Sequence, residues 1–217
     1  MDKVVITGAT GFVGQNLSDY LSNQSFLIEK ISLRDQTWKE GEIADVFIHL
    51  AGKAHDTVGV SDFSEYFKVN TCLTKELFDM FLEGETKDFI YFSSVKAVAD
   101  EVSEILIEDV LANPKTSYGQ SKLQAEEYIL SKKVPRGKRV FIIRPCMIHG
   151  PGNKGNLNLL YNVVYKRIPY PLKAFHNERS FLGIDNLNFL VGEILKNKKI
   201  ASGVYNFADD EFLSTNE

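Results

Sequence analysis

Val4-Val5-Ile6-Thr7-Gly8-Ala9-Thr10-Gly11-Phe12-Val13-Gly14 is an apolar run that breaks at a glycine and carries two more glycines at intervals of three. The run reads as a buried strand, and Val13, Leu17 and Leu21, four apart, read as the buried face of a following helix. In such a strand–turn–helix the first glycine permits a sharp exit from the strand. The second lets the backbone approach a ligand, and the third lets the helix pack closely. A helix starting near Gly11 offers free N–H groups and a positive dipole end. The stretch predicts a phosphate cradle; a glycine turn that binds nothing is the alternative, and the flanking strand and helix favour the cradle.

Outward from this stretch, strand-like runs at about 26–33, 45–51, 88–94, 139–143 and 203–207 alternate with helical patterns at about 12–22, 63–82, 117–132, 156–167 and 186–197. Alternation of this kind predicts a doubly wound parallel sheet covered by helices, with ligands at the carboxyl ends of the strands. Only about a dozen residues separate the second strand from the run Asp45-Val46-Phe47-Ile48-His49-Leu50, barely enough for a full crossover. One edge strand and its helices are therefore expected to be missing or vestigial.

The chain of 217 residues is 44% hydrophobic, enough for one good core. A formal charge of -4 gives no electrostatic reason to expect nucleic acid or an anionic membrane as partner. Cys72 and Cys146 lack metal-ligand spacing, so no metal site or disulfide framework is implied, and both are expected as buried thiols. The first strand begins too early to leave room for a secretory signal, and no apolar run reaches membrane-spanning length, so a cytoplasmic protein is expected.

The strand Phe89-Ile90-Tyr91-Phe92 delivers Ser93 and Ser94 to the edge where the glycine turn lies. Tyr118 and Lys122, four apart at the start of a helix, share one face. A lysine ammonium and a helix N-terminus both favour phenolate, which would make Tyr118 an acid/base usable near neutral pH. A second pair of the same spacing, Tyr128 and Lys132, lies about 15 Å further along that helix and off its face. Tyr128 therefore reads as a packed or surface aromatic.

Taken in order, TGATGFVG, HLAGKAH, FIYFSS, YGQSK, RPCMIHGPG and ERSFLGIDNL resemble the extended short-chain dehydrogenase/reductase family, and within it the NAD-dependent nucleotide-sugar epimerase/dehydratase group. The resemblance implies a Rossmann domain over residues 1–150 and a partial substrate lobe over 151–217, interleaved with the last sheet strands. It implies that Gly8, Gly11, Phe12, Val13 and Gly14 hold the pyrophosphate of NAD or NADP. Leu50, Ala51, Gly52, Asn70 and Pro145 would line the nicotinamide side. Ser94 would hold the reacting sugar hydroxyl, Tyr118 would exchange its proton, and Lys122 would bind the nicotinamide ribose and lower the tyrosine pKa. Asn156, Leu157, Phe175 and Arg179 resemble contacts to the nucleoside diphosphate of the substrate. Read without the resemblance, Asn156 is a helix cap, Phe175 core and Arg179 a solvated charge. The resemblance also implies a homodimer through the helices at about 63–82 and 117–132; Phe63, Phe67, Thr74, Phe78 and Phe81 give the first of these more apolar surface than one sheet contact needs.

The chain departs from the family pattern in several places. Where a carboxylate favouring NAD is expected, Ser32-Leu33-Arg34-Asp35 stands; Ser32 and Arg34 suit a 2′-phosphate and Asp35 a ribose, so the cofactor is open between NAD and NADP. His149 replaces a family tyrosine, while Lys96 and His55 follow strand ends and read as solvent-facing. Val95-Lys96-Ala97 occupies the place where a dehydratase carries an acidic pair, which disfavours dehydration. The segment Asp209–Glu217 reads as a loop and a helix start with Ser214 or Thr215 as cap, and the chain falls short of the family's usual length, as a fragment would. The expected activity is transient hydride transfer at a sugar ring carbon, with C4 the usual position. The alternatives are an NADPH-dependent keto-sugar reductase and a non-catalytic dinucleotide sensor or scaffold.

Overall fold

The computed structural model describes residues 1–34, 38, 44–54, 63–153, 161, 165–166 and 178–214. The opening strand β1 (Lys3–Thr7) leads into α1 (Phe12–Asn23) and then β2 (Leu27–Ile31). After the short connection comes β3 (Val46–His49). The helical run 63–83 is not one regular helix: α2 (Phe63–Tyr66) passes through a π-helical turn (Phe67–Cys72) into α3 (Leu73–Glu83). Then follow β4 (Asp88–Phe92), a short 3₁₀ turn (Val95–Ala97), α4 (Ser117–Ser131) and β5 (Arg139–Pro145). The remainder is β6 (Met147–His149), β7 (Arg179–Gly183), α5 (Ile184–Lys196), β8 (Gly203–Phe207) and β9 (Phe212–Leu213).

Six strands form one parallel sheet in the order β2-β1-β3-β4-β5-β8. The expected doubly wound parallel sheet is therefore present. Among the described residues β2 pairs with β1 alone and forms the sheet's edge, as the short connection after it implies. Because β2 and β3 lie on opposite sides of β1, the chain reverses its winding direction there, and this opens a crevice at the carboxyl ends of β1 and β3.

Strand side chains alternate between the two faces. Val4, Ile6, Ile48, Ile90, Phe141 and Ile143 pack towards α1 and α5, and Phe89, Tyr91, Val140 and Ile142 towards α3 and α4. A buried ion pair interrupts this apolar pattern. Arg144 of β5 forks onto Glu126 of α4, with Nη2 2.6 Å and Nε 3.1 Å from the carboxylate, and its Nη1 donates to the Glu108 carbonyl. Both members are buried. The pair fixes α4 against β5 one turn below Lys122.

Several expectations are corrected. Phe212 and Leu213, expected in a loop, form β9, antiparallel to β7, while Thr215 and the helix start expected from Ser214 or Thr215 fall on residues outside those described. A three-stranded sheet β6-β7-β9 stands beside the main one, built of strands too short to show a period. Of the five residues taken as surplus apolar surface, Thr74, Phe78 and Phe81 are buried in the chain's own core. Cys72 and Cys146 are only partly buried, since each lies at the margin of a packed layer. Of the helix expected at 156–167, the described residues are Tyr161 and Tyr165, both helical, and Lys166, in a turn; Asn156, Leu157, Phe175, Asp35 and His55 lie outside the described residues. No helix among the described residues is long and apolar enough to cross a membrane.

Candidate active site

The glycine turn fits a dinucleotide's phosphates on its own geometry. Gly8 adopts φ +68°, a conformation that side-chain-bearing residues disfavour, and a Cβ there would stand 2.7 Å from the Ala51 nitrogen. A Cβ on Gly14 would come within 2.6 Å of Ala9 Cα and closer still to the Gly8 carbonyl. Gly14 thus lets α1 seat on the turn itself, where the sequence suggested packing on the sheet. Gly11 begins α1 without a side-chain cap, so the N–H groups of Phe12, Val13 and Gly14 point outward with no acceptor from their own helix. Uncapped donors at a helix's positive end are what an anionic ligand requires.

Across the crevice, Leu50, Ala51 and Gly52 leave β3 and are held from two sides. Thr7 Oγ1 accepts from the Leu50 and Ala51 N–H groups at 3.2 and 3.1 Å. Asn70, fully buried in the π-helical turn, accepts from the Lys53 N–H at 2.8 Å and donates to the Lys53 carbonyl at 3.0 Å and to Ser121 Oγ at 2.9 Å. Asn70 therefore clamps the loop after β3 to α4. A Cβ on Gly52 would lie 3.2 Å from Lys122 Nζ, so the loop passes directly over that lysine.

Lys122 is buried, donates to the Phe92 carbonyl at 2.8 Å and lies 4.9 Å from the centre of the Tyr91 ring. Burial pulls its pKa down to about 8, against an opposing pull from Glu126. Between pH 8 and its ordinary value the unfolded chain binds this proton more tightly than the folded one, so stability rises with pH across that window. Denaturant midpoints of the ligand-free protein are expected to report a gain of about 2 kcal/mol from pH 8 to about pH 10. In Lys122→Met that gain is absent; a parallel rise in both proteins removes Lys122 as its source.

Tyr118 is half-buried near the start of α4, which Thr116 caps by accepting from the Gly119 N–H at 3.2 Å. Gly119 is what allows the approach: a Cβ there would meet Pro114 Cβ at 2.8 Å and the Lys96 carbonyl at shorter range. Tyr66 meets the Tyr118 ring edge-on at 6.3 Å. Burial holds the Tyr118 phenol above its ordinary pKa, and its hydrogen bond with Ser94 pulls the other way. This corrects the expectation that Lys122 makes Tyr118 ionisable near neutral pH in the protein alone, since burial of the phenol outweighs the groups that favour phenolate. Ser94 Oγ accepts from the Lys96 N–H at 3.2 Å and starts the 3₁₀ turn. Tyr128 points elsewhere, donating to both Asp79 oxygens at 2.7 and 2.8 Å.

The structure thus brings Ser94, Tyr118, Lys122, Gly52 and Asn70 together. Pro145 is buried at the carboxyl end of β5. Ser32 and Arg34 are exposed just beyond β2, with the Arg34 N–H donating to Ser32 Oγ at 3.3 Å. Arg179 is exposed at the first position of β7, opposite Leu213. His149 lies 3.8 Å from Asp209, whose carboxylate accepts from the Gly183 N–H and from Asn186. Tyr66 and the Arg144–Glu126 pair escaped the sequence reading. One is an aromatic among helix phenylalanines, and the other is a charge that only the third dimension pairs.

Comparison with known proteins supplies the family. A profile of the NAD dependent epimerase/dehydratase family matches residues 4–187. The UDP-glucose 4-epimerase of Vibrio cholerae is 31% identical, the match covering 99% of this chain and 73% of that protein. The N-acetyl-alpha-D-glucosaminyl-diphospho-ditrans,octacis-undecaprenol 4-epimerase of Escherichia coli O157:H7 is 30% identical over 100% of this chain and 70% of its own. In fold, the chain is similar to UDP-glucuronic acid 4-epimerase from Bacillus cereus in complex with NAD, with a TM-score of 0.82 at 22% identity, covering 98% of this chain and 79% of that one. With its uncapped glycine turn, its clamped loop and its serine–tyrosine–lysine set at one sheet edge, this chain belongs to the NAD dependent epimerase/dehydratase family.

Proposed function

We propose that the chain acts on a nucleoside-diphosphate sugar as an NAD(P)-dependent epimerase, with Ser94, Tyr118 and Lys122 as its catalytic residues. The observation that carries the reading is the placement of Ser94 beside the Tyr118 phenol, whose pKa it pulls down against burial, and of a buried Lys122 one helical turn on, at the sheet edge where the glycine turn opens. A bound dinucleotide supplies a reversible hydride acceptor for a sugar ring carbon. Gly8, Gly11 and Gly14, with the N–H groups of Phe12 and Val13, hold its phosphates; Leu50, Ala51, Gly52, Asn70 and Pro145 line its reactive end. Ser94 orients the sugar hydroxyl, and Tyr118 takes and returns the hydroxyl proton. Lys122 holds the ribose and, when charged, favours phenolate. The segment from 151 onward, with Asn156, Leu157, Phe175 and Arg179, forms the part of the site that receives the nucleotide.

Ser32 and Arg34, both exposed beyond β2, favour a second reading in which NADPH serves a keto-sugar reductase. Incubation with UDP-, GDP- and dTDP-sugars, following sugar identity and dinucleotide redox state together, separates the two. Epimer formation without net change in the dinucleotide is expected; stoichiometric loss of NADPH assigns the reductase, and no turnover of any sugar assigns a binding role.

The face of α2, α3 and α4 also suits a second copy of the chain. Phe63, Met80 and Leu130 are exposed on these helices at 37%, 40% and 60%. Sedimentation is expected to give twice the chain mass, and a Leu130→Glu variant to give the single mass; a single mass for the unmodified chain would refute the dimer.

A further inference from the structure

His49 lies at the last position of β3, completely buried between the glycine turn and the π-helical turn, and the proposed chemistry leaves it unused. Its ring stacks on Tyr91 at 5.7 Å. Nδ1 is 2.7 Å from Thr7 Oγ1, and Nε2 is 2.9 Å from Thr74 Oγ1. Thr74 Oγ1 donates in turn to the Asn70 carbonyl at 2.7 Å.

These contacts allow only one arrangement of protons. Both lone pairs of Thr7 Oγ1 are taken by the Leu50 and Ala51 N–H groups, which leaves its proton to donate to Nδ1. Thr74 spends its single proton on Asn70, so it accepts from Nε2–H. The imidazole is therefore neutral with its hydrogen on Nε2. Burial, with Lys122 nearby, lowers its pKa to about 3, so the ring does not charge at physiological pH. The chain ends on the Asn70 backbone carbonyl, and from the same residue a separate run starts: the side-chain amide donates to Ser121 Oγ, which donates to the Tyr118 carbonyl at 2.7 Å.

We infer that His49 is a positioning residue, the central link of a one-way hydrogen-bond chain from Thr7 through Thr74 to Asn70 that sets the phosphate-binding turn in register with the helix bearing Tyr118 and Lys122. It touches neither substrate nor cofactor and acts through the groups at either end. The inference rests on the dinucleotide-binding reading given above. A neutral two-ended linker suits this place because one face of the ring meets a donor and the other an acceptor, and a charge would disrupt both.

The test titrates NADH and NADPH into the unmodified chain, His49→Phe, Thr74→Val and the double variant, with thermal unfolding alongside. Phenylalanine keeps the ring and its stacking on Tyr91 while removing both nitrogens. Each single change is expected to weaken the dinucleotide about tenfold by leaving a buried hydroxyl or amide without its partner. The double variant is expected to be no weaker than the weaker single one, because the chain is already broken. Multiplicative losses, or variants that melt earlier yet bind as tightly as the unmodified chain, would overturn the inference. Nitrogen NMR of the unmodified chain, with the His49 signal identified by its loss in His49→Phe, is expected to show Nε2–H at every pH from about 5 to 8. Protonation at Nδ1 or a titration in that range would equally overturn it. If His49→Phe fails to fold, Thr74→Val decides, and the His49 signal is identified by its displacement in Thr74→Val, which removes the acceptor of Nε2–H. Failure of the unmodified chain to bind either dinucleotide refutes the underlying reading as well, whereas binding that is indifferent to these variants refutes only the role of His49.

Discussion

Tyr118→Phe is expected to lower turnover of the nucleotide sugar by about a thousandfold while leaving dinucleotide affinity unchanged. The ring would keep its edge contact with Tyr66 and its place against the 3₁₀ turn, so only the hydroxyl beside Ser94 is lost. Because burial already holds that phenol above its ordinary pKa, removing it eliminates a proton store and no fixed charge. The variant should fold and melt like its parent. Single-turnover measurements with matched dinucleotide titration check it, and normal turnover would take Tyr118 out of the chemistry altogether.

The second large effect belongs to Gly14→Ala. A methyl group there meets the backbone of the turn, Ala9 Cα at 2.6 Å and the Gly8 carbonyl nearer still, and backbone cannot swing aside as a side chain can. The helix must lift off the turn, at a cost of about 2–3 kcal/mol in stability. Lifting it also misaligns the N–H groups of Phe12 and Val13, for which a loss of about a hundredfold in dinucleotide affinity is expected. Gly11→Ala is the internal comparison, since its Cβ would lie 3.3 Å from the Gly8 carbonyl and needs only a small adjustment. Denaturant unfolding and NADH titration of the pair read both effects. Equal behaviour of the two variants would show that close seating of α1 is not what shapes the cradle.

Most of the frame was legible because it rests on local rules. Apolar runs such as Val4–Ile6 and Phe89–Phe92 have few fates besides buried strands, and glycines after a strand announce the turn that Gly8's positive φ then requires. Strand ends and helix spacing likewise make legible the placement of Ser94, Tyr118 and Lys122 at one edge. The π-helical turn was not legible: Phe67–Cys72 carries no proline or paired glycines, and the irregularity follows from Asn70 and Thr71 both being drawn inward, one to the loop after β3 and the other to the Ser121 carbonyl. The direction of the Tyr118 shift was also hidden, because it is set by how deeply the phenol is buried, which helix spacing does not show.

The edge strand β2 shows what the short connection after it demands. With no further strand beside it among the described residues, its outer rim leaves backbone N–H and C=O groups able to pair with any extended chain that arrives. Its sequence meets that hazard with Glu29 and Lys30 at consecutive positions, and Glu29 holds Lys3 at 3.0 Å. An incoming strand would have to strip water from both charges along a rim only five residues long. Among the described residues the sheet ends at β2, and the desolvation of these side chains is the cost that any added strand would meet there.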